Sequence, residues 1–129
     1  MKKLVILGQG PAGISAALYA VRGGADVTVI AKDFGALAKA DKIENYYGFE
    51  HGIAAKDLIE TGIQQAKNLG VNFIKGEVCG IEFATDGYDV KIADGSTISA
   101  GAIIVAVGTS RNVPAIEYIE KFEGKGVSY

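Results

Sequence analysis

The run Lys3-Leu4-Val5-Ile6-Leu7 passes directly into Gly8-Gln9-Gly10-Pro11-Ala12-Gly13, and that junction restricts the fold more than any other feature of the chain. The apolar run shows no alternation, as expected of a parallel strand covered on both faces. After the glycines the pattern turns helical from Pro11 to Arg22, with Ile14, Ala17, Leu18 and Val21 on one stripe. Gly23 and Gly24 stop that helix. Asp26 to Ile30, DVTVI, is β-branched and apolar, and reads as a second buried strand. Strand, glycine loop, helix and strand make a βαβ unit.

Each glycine of the loop has a mechanical reason. Gly8 allows the tight turn out of the strand. Gly10 lets a pyrophosphate approach the backbone without a Cβ in the way. Gly13 lets the helix pack closely on the sheet. Pro11, Ala12 and Gly13 open the helix, whose free N–H groups and positive dipole end favour phosphate. A carboxylate for ribose hydroxyls is expected at the end of the second strand, but Ala31 stands there, followed by Lys32 and Asp33. Lys32, Asp33 or a backbone group is left to bind the ribose. Lys32 also admits a reading as a contact for a 2′-phosphate, against that of a solvated loop lysine.

Residues 32–52 carry no clear periodicity, and a loop of that length inside a compact domain is usually functional. A second helix is expected over Ala54 to Leu69, with Ile59, Ile63 and Ala66 on one face, closed by Gly70. Val71 to Ile74 reads as a third strand. Glu77 to Ala84, Tyr88 to Ala93 and Thr97 to Ser99 follow, linked by TDG and ADGS turns, and predict an antiparallel meander. Gly101 to Val107, GAIIVAV, has the unbroken apolar character of a strand returning to the main sheet. Thr109 to Tyr129 reads as a loop leaving the domain. The fold class is therefore α/β: a Rossmann-like βαβ parallel sheet with an antiparallel meander, in a domain read as truncated. Residues 1–110 are its N-terminal portion and residues 111–129 a linker toward a second dinucleotide domain.

Composition removes several function classes. The net charge of −2 leaves no basic field for nucleic acid or an anionic membrane surface. No apolar run reaches the roughly 20 residues of a membrane span, and the N-terminus lacks the apolar length of a secretory signal. A cytoplasmic protein is expected. The single cysteine, Cys79, sits in the strand EVCGIEF and is expected to act as a small buried hydrophobe. His51, the one histidine, reads as a surface residue. Arg111 reads as solvated, against a place at a cofactor edge or a partner domain. Tyr46 and Tyr47 fit either stacking on a cofactor or loop packing. No catalytic triad order, metal-ligand spacing or carboxylate pair is present, so no catalytic and no metal residue is assigned.

Three stretches in order, GQGPAGISAALYAVRGG, IENYYGF and AIIVAVGTSRNVP, resemble the flavin domain of thioredoxin reductases and related flavoproteins with two dinucleotide domains. The resemblance spans the whole chain. It implies that Gly8, Gly10, Pro11, Ala12 and Gly13 bind the FAD pyrophosphate, and that Ala31 and Lys32 lie at the ribose. It puts Gly35, Leu37 and Asn45 beside the flavin, with Asn45 hydrogen-bonding near the isoalloxazine. Glu77 and Val78 match the segment that reads adenine through its backbone. Ala106, Val107 and Gly108 match the second glycine signature. Departures are concentrated in the flavin loop, at Ala36, at Ala38, Lys39, Ala40 and Asp41, and at Tyr46-Tyr47. Val107 replaces the signature threonine.

In this family a segment like KGVSY continues into a Cys-X-X-Cys pair. The resemblance thus implies the FAD seat of a flavin-dependent disulfide oxidoreductase whose redox cysteines and NADPH domain lie outside this chain. The chain alone is expected to be inactive. In the parent protein the partners would be a reductant, NADPH or another, and a thioredoxin-like disulfide, in a homo-oligomer. Two other readings stand beside it: the FAD seat of a ferredoxin–NADP reductase-like flavoenzyme without a cysteine pair, and a non-catalytic nucleotide-binding fragment.

Overall fold

A computed structural model describes residues 2–110 and 112–127. The chain begins with β1 (Lys3–Leu7), α1 (Pro11–Arg22) and β2 (Asp26–Ala31), the βαβ unit read from the sequence. A short 3-10 turn (Ala36–Lys39) and β3 (Lys42–Ile43) occupy the loop that lacked periodicity, and β4 (Ile53–Ala54) follows it. Then come α2 (Ala55–Asn68), β5 (Asn72–Lys75), β6 (Val78–Ala84), β7 (Gly87–Ile92), β8 (Thr97–Ala100) and β9 (Ala102–Val105). Elements from the second helix onward match the expected ones with boundaries shifted by one or two residues.

The main sheet has the order β5-β2-β1-β9 and is parallel throughout. β1 lies at its centre, with Leu4 to Leu7 in register with Val27 to Ile30 on one side and with Ala102 to Val105 on the other. β6, β7 and β8 form a separate antiparallel sheet, and β3 pairs with β4 as a two-stranded ribbon. The unbroken apolar character of β1 has a direct cause: its two faces meet different partners. Ile6 joins Val27, Val29, Ile14, Ala17 and Ala66 under the helices. Val5 and Leu7 join Ile30, Val90, Ile92 and Ala100 under the meander. The result is three layers, helices on the parallel sheet on the antiparallel sheet. Each fully buried Val or Ile contributes about 1.5–3 kcal/mol through removal of its surface from water.

The helices meet through a small residue. Gly62 on α2 faces Ile14 on α1, where a Cβ would come within 3.4 Å of the Ile14 Cγ2. The apolar stripes predicted for both helices point inward: Ile14, Ala17, Ile59 and Ala66 are buried.

Two expectations are corrected. Cys79 is exposed. Val78 packs against the inner core, and the pairing of β6 with β7 shifts register between Val78 and Gly80, so Cys79 is an extra residue that the ladder leaves outside. Its Sγ lies 3.5 Å from the Lys91 carbonyl oxygen. The segment after β9 is not a plain loop either. It carries a 3-10 turn at Ile119–Lys121 with Ile119 buried, and a bridge between Glu123 and Val127. Arg111 and the last two residues of the KGVSY segment, Ser128 and Tyr129, lie outside the described residues. No helix among the described residues is long and apolar enough to cross a membrane.

Candidate functional site: a glycine shelf at the carboxyl ends of the parallel strands

Strand order reverses at β1: β2 and β5 lie to one side of it and β9 to the other. In open α/β sheets the crevice at such a reversal, outside the carboxyl ends of the strands, is where ligands bind. Gly8 to Gly13 sit there. Gly8 donates its N–H to the Ile30 carbonyl at 2.8 Å, and Ala106 donates to the Leu7 carbonyl at 2.8 Å. The loop is thereby fixed between the ends of β2 and β9.

The three glycines separate by cause. Gly8 has φ +108°, and a Cβ there would run into the Ala106 carbonyl oxygen. Gly13, buried in the first turn of α1, would drive a Cβ into the Gly8 carbonyl oxygen, with the Ala106 Cβ only 3.6 Å away. The protein's own backbone accounts for both. Gly10 differs. It is the N-cap of α1 with φ −71° and ψ 179°, extended backbone open to any residue, and a Cβ there would meet nothing within 4 Å. Nothing in the described chain requires glycine at this position.

The helix end supplies the complementary chemistry. Pro11 is at the first helical position, no side chain caps the N-terminus, and no acidic residue lies in the first turn. The N–H groups of a first turn have no intrahelical acceptor, and the dipole favours an anion there. Gly10, Pro11 and Ala12 are at least partly exposed. The shelf is open and has an affinity for negative charge built from backbone alone.

The structure ties the shelf to the loop after β2. Gln9 donates from Nε2 to the Asp33 carbonyl oxygen at 3.0 Å. Asp33 Oδ1 accepts the Gly35 N–H at 2.8 Å, an Asx turn that commits this carboxylate to its own loop. Gly35, at φ +70°, then starts the 3-10 turn, which packs against α2. Gln9 had no signal in the sequence, because its role depends on a loop brought beside it by the sheet.

At the other end, Ala31 pairs with Lys75, and Gly76 donates its N–H to the Ala31 carbonyl at 3.0 Å. Glu77 follows. Its Oε1 receives Lys32 Nζ at 2.8 Å, with more than half of each side chain exposed. That hydrogen bond and the attraction of the carboxylate hold the Lys32 ammonium above its ordinary pKa. Lys32 is exposed, as a loop lysine, and it pairs with Glu77. The Glu77 carbonyl accepts the Ala93 N–H at 2.8 Å, and Val78 begins β6.

The remaining candidates are less closely joined to the shelf. Leu37 is half-buried in the 3-10 turn and Asn45 is exposed. None of the described hydrogen bonds joins Asn45 to Gly8–Gly13. Tyr46 packs its ring 6.3 Å from that of Phe49, whereas Tyr47 is almost wholly exposed. His51 is exposed, 3.7 Å from Glu50. Val107 and Gly108 follow Ala106 out of the sheet, both exposed. A recessed groove of about 410 Å³ on the helix side, lined by residues including Phe34, Lys67, Phe73 and Lys75, shares only Gln9 with the shelf.

The profile of the family described as pyridine nucleotide-disulphide oxidoreductase matches residues 2–129. The chain belongs to the pyridine nucleotide-disulphide oxidoreductase family. Within it, a thioredoxin reductase of Aquifex aeolicus is 36% identical over 128 residues, covering 98% of this chain and 40% of the relative. The atypical thioredoxin reductase TRi from Desulfovibrio vulgaris Hildenborough has a solved structure with TM-score 0.78 and 39% identity, covering all of this chain and 43% of that one. A relative of another name, glucosaminate ammonia-lyase of Pseudomonas fluorescens, is 31% identical over 128 residues, covering 98% of this chain and 40% of its own length. This family member therefore spans about 40% of the length of the curated relatives it matches.

Proposed function

We propose that this chain is the FAD-binding segment of a thioredoxin reductase-like flavin-dependent disulfide oxidoreductase. The observation that carries the reading is Gly10. Its backbone needs no glycine and no protein atom lies near its Cβ position, while the two glycines flanking it are demanded by packing. A position kept free of side chain, facing outward at a helix N-terminus, suits a pyrophosphate lying against the backbone.

In this reading Gly8, Gly10, Pro11, Ala12 and Gly13 hold the pyrophosphate, with Ala106, Val107 and Gly108 forming the second wall. The ribose lies over Ala31 and Lys32, and the adenine against Glu77 and Val78. Gly35, Leu37 and Asn45 border the flavin. Bound FAD would supply the electron transfer; the chain's own groups bind and orient it. With one cysteine, Cys79, the chain holds no dithiol to exchange with a disulfide, so the redox cysteines, the reductant (NADPH or another) and a thioredoxin-like partner belong to the longer protein.

The test is a titration of the purified chain with FAD, followed by flavin fluorescence, beside the variant Gly10→Val. Saturable binding by the first and none by the second supports the seat. Equal binding by both contradicts it. A second reading is an FAD seat serving a reaction without a cysteine pair, as in ferredoxin–NADP reductase-like enzymes. A thioredoxin-reduction assay on the longer protein separates the two.

A further inference from the structure

In a nucleotide-binding βαβ unit the ribose hydroxyls are held by a carboxylate at the end of the second strand, and here that position is Ala31. The fold brings a carboxylate to the same place from another strand. The chain leaves β5 beside Ala31, Gly76 bonds to the Ala31 carbonyl at 3.0 Å, and the next residue is Glu77. Its side chain reaches back to Lys32, the residue that follows Ala31, at 2.8 Å.

We propose that Glu77 is the ribose acceptor of this site, with its carboxylate taking the hydroxyls of the adenosine ribose and Lys32 acting as a positioning residue that holds it. This deepens the FAD reading above and rests on it. The other nearby acid, Asp33, accepts the Gly35 N–H on Oδ1 and is held in its own turn. Glu77 has the free capacity. A carboxylate offers two oxygens and about four lone-pair sites; Lys32 takes Oε1, and over half of the side chain remains open to a ligand. Lys32 contributes twice. It fixes one oxygen so that the other is presented in a single direction, and it joins Glu77 through a charge-assisted hydrogen bond.

The experiment titrates this chain and three variants with FAD and with its counterpart built on 2′-deoxyadenosine. A hydrogen bond to a charged group corresponds to roughly a tenfold to hundredfold preference, so the unaltered chain is expected to favour FAD over the deoxy counterpart by about that factor. Glu77→Ala should bind both ligands alike, at the affinity the unaltered chain has for the deoxy form. Lys32→Met should reduce the preference, and Lys32→Arg should restore it, a rescue that a purely structural role would not give. Circular dichroism checks that the exposed substitutions leave the fold intact. If Glu77→Ala binds FAD and still discriminates against the deoxy form, the assignment is overturned while the FAD seat stands. If the unaltered chain binds neither ligand, the FAD seat and the assignment fall together.

Discussion

Gly8 and Ala106 meet backbone to backbone, so closely that a Cβ on Gly8 would strike the Ala106 carbonyl oxygen. This contact closes the glycine loop against the end of β9 and makes the two glycine signatures one wall. Its consequence is a division of labour. Gly8→Ala should damage the fold, since it adds that collision to an unfavourable positive φ, itself a cost of about 1–3 kcal/mol. Gly10→Val should cost only about 1 kcal/mol through a poorer N-cap while removing nucleotide binding. Urea denaturation of the two variants, read by circular dichroism, checks the order.

The central strand offers a second test. Ile6 is fully buried among Ile14, Val27, Val29 and Ala66. Ile6→Ala should destabilise the chain by about 2–5 kcal/mol, from lost burial plus the cavity left behind. A midpoint shift below that of an exposed control such as Tyr19→Ala would show that the three-layer core is wrongly described.

Much of this architecture was legible beforehand, for physical reasons. β1 lacks alternation because both of its faces are covered, and α1 carries a stripe because one of its faces is. Their boundaries therefore agree with the pattern. The stretch from Lys32 to Gly52 has no period, because its short 3-10 turn is fixed by local hydrogen bonds such as Gly35 to Asp33 and by packing on α2, and its one strand, β3, is two residues long. Cys79 runs against its residue type because a register shift between Val78 and Gly80 sets it outside the β6–β7 pairing, a local irregularity that leaves no period in the sequence. The Lys32–Glu77 pair was invisible because the residues after β2 and after β5 come together only once β5 is laid beside β2.

The exposure of Cys79 has a direct chemical consequence. A thiol reagent should label one thiol in the native chain without denaturant, since Cys79 is exposed. Cys79→Ser should leave flavin binding and reduction unchanged and move stability by no more than about 0.5 kcal/mol, as for other surface substitutions. Labelling only after unfolding would contradict its placement.

The β7–β8 turn should respond to acid. Asp94 Oδ1 accepts the Ser96 hydroxyl at 2.6 Å and the Ser96 N–H at 2.8 Å, and these bonds hold its carboxyl below the ordinary 3.8. The folded value being lowered, the stabilisation is present above about 3.8 and is lost as the pH falls through the lowered folded value. Amide exchange at Ser96 should therefore gain protection on the alkaline side of that range, and Asp94→Ala should abolish the dependence at this turn alone.

The chain taken by itself should self-associate and bind flavin substoichiometrically. β9 is an edge of the parallel sheet among the described residues, and Ile104, Val105 and Val107 beside it are exposed. An open edge with apolar side chains invites pairing with another copy. Size-exclusion chromatography with light scattering should report a dimer or larger species. A monomer carrying full flavin would contradict this.

The central claim is that the Gly8–Gly13 shelf seats FAD, and a fluorescence titration of the purified chain with FAD, against the Gly10→Val variant at matched folding, tests it most directly. The account expects saturable quenching of flavin fluorescence by the unaltered chain and an affinity lower by more than about tenfold, 1.4 kcal/mol, in the variant, with both chains equally folded by circular dichroism. Unchanged affinity in Gly10→Val, or no binding by the unaltered chain, would contradict it.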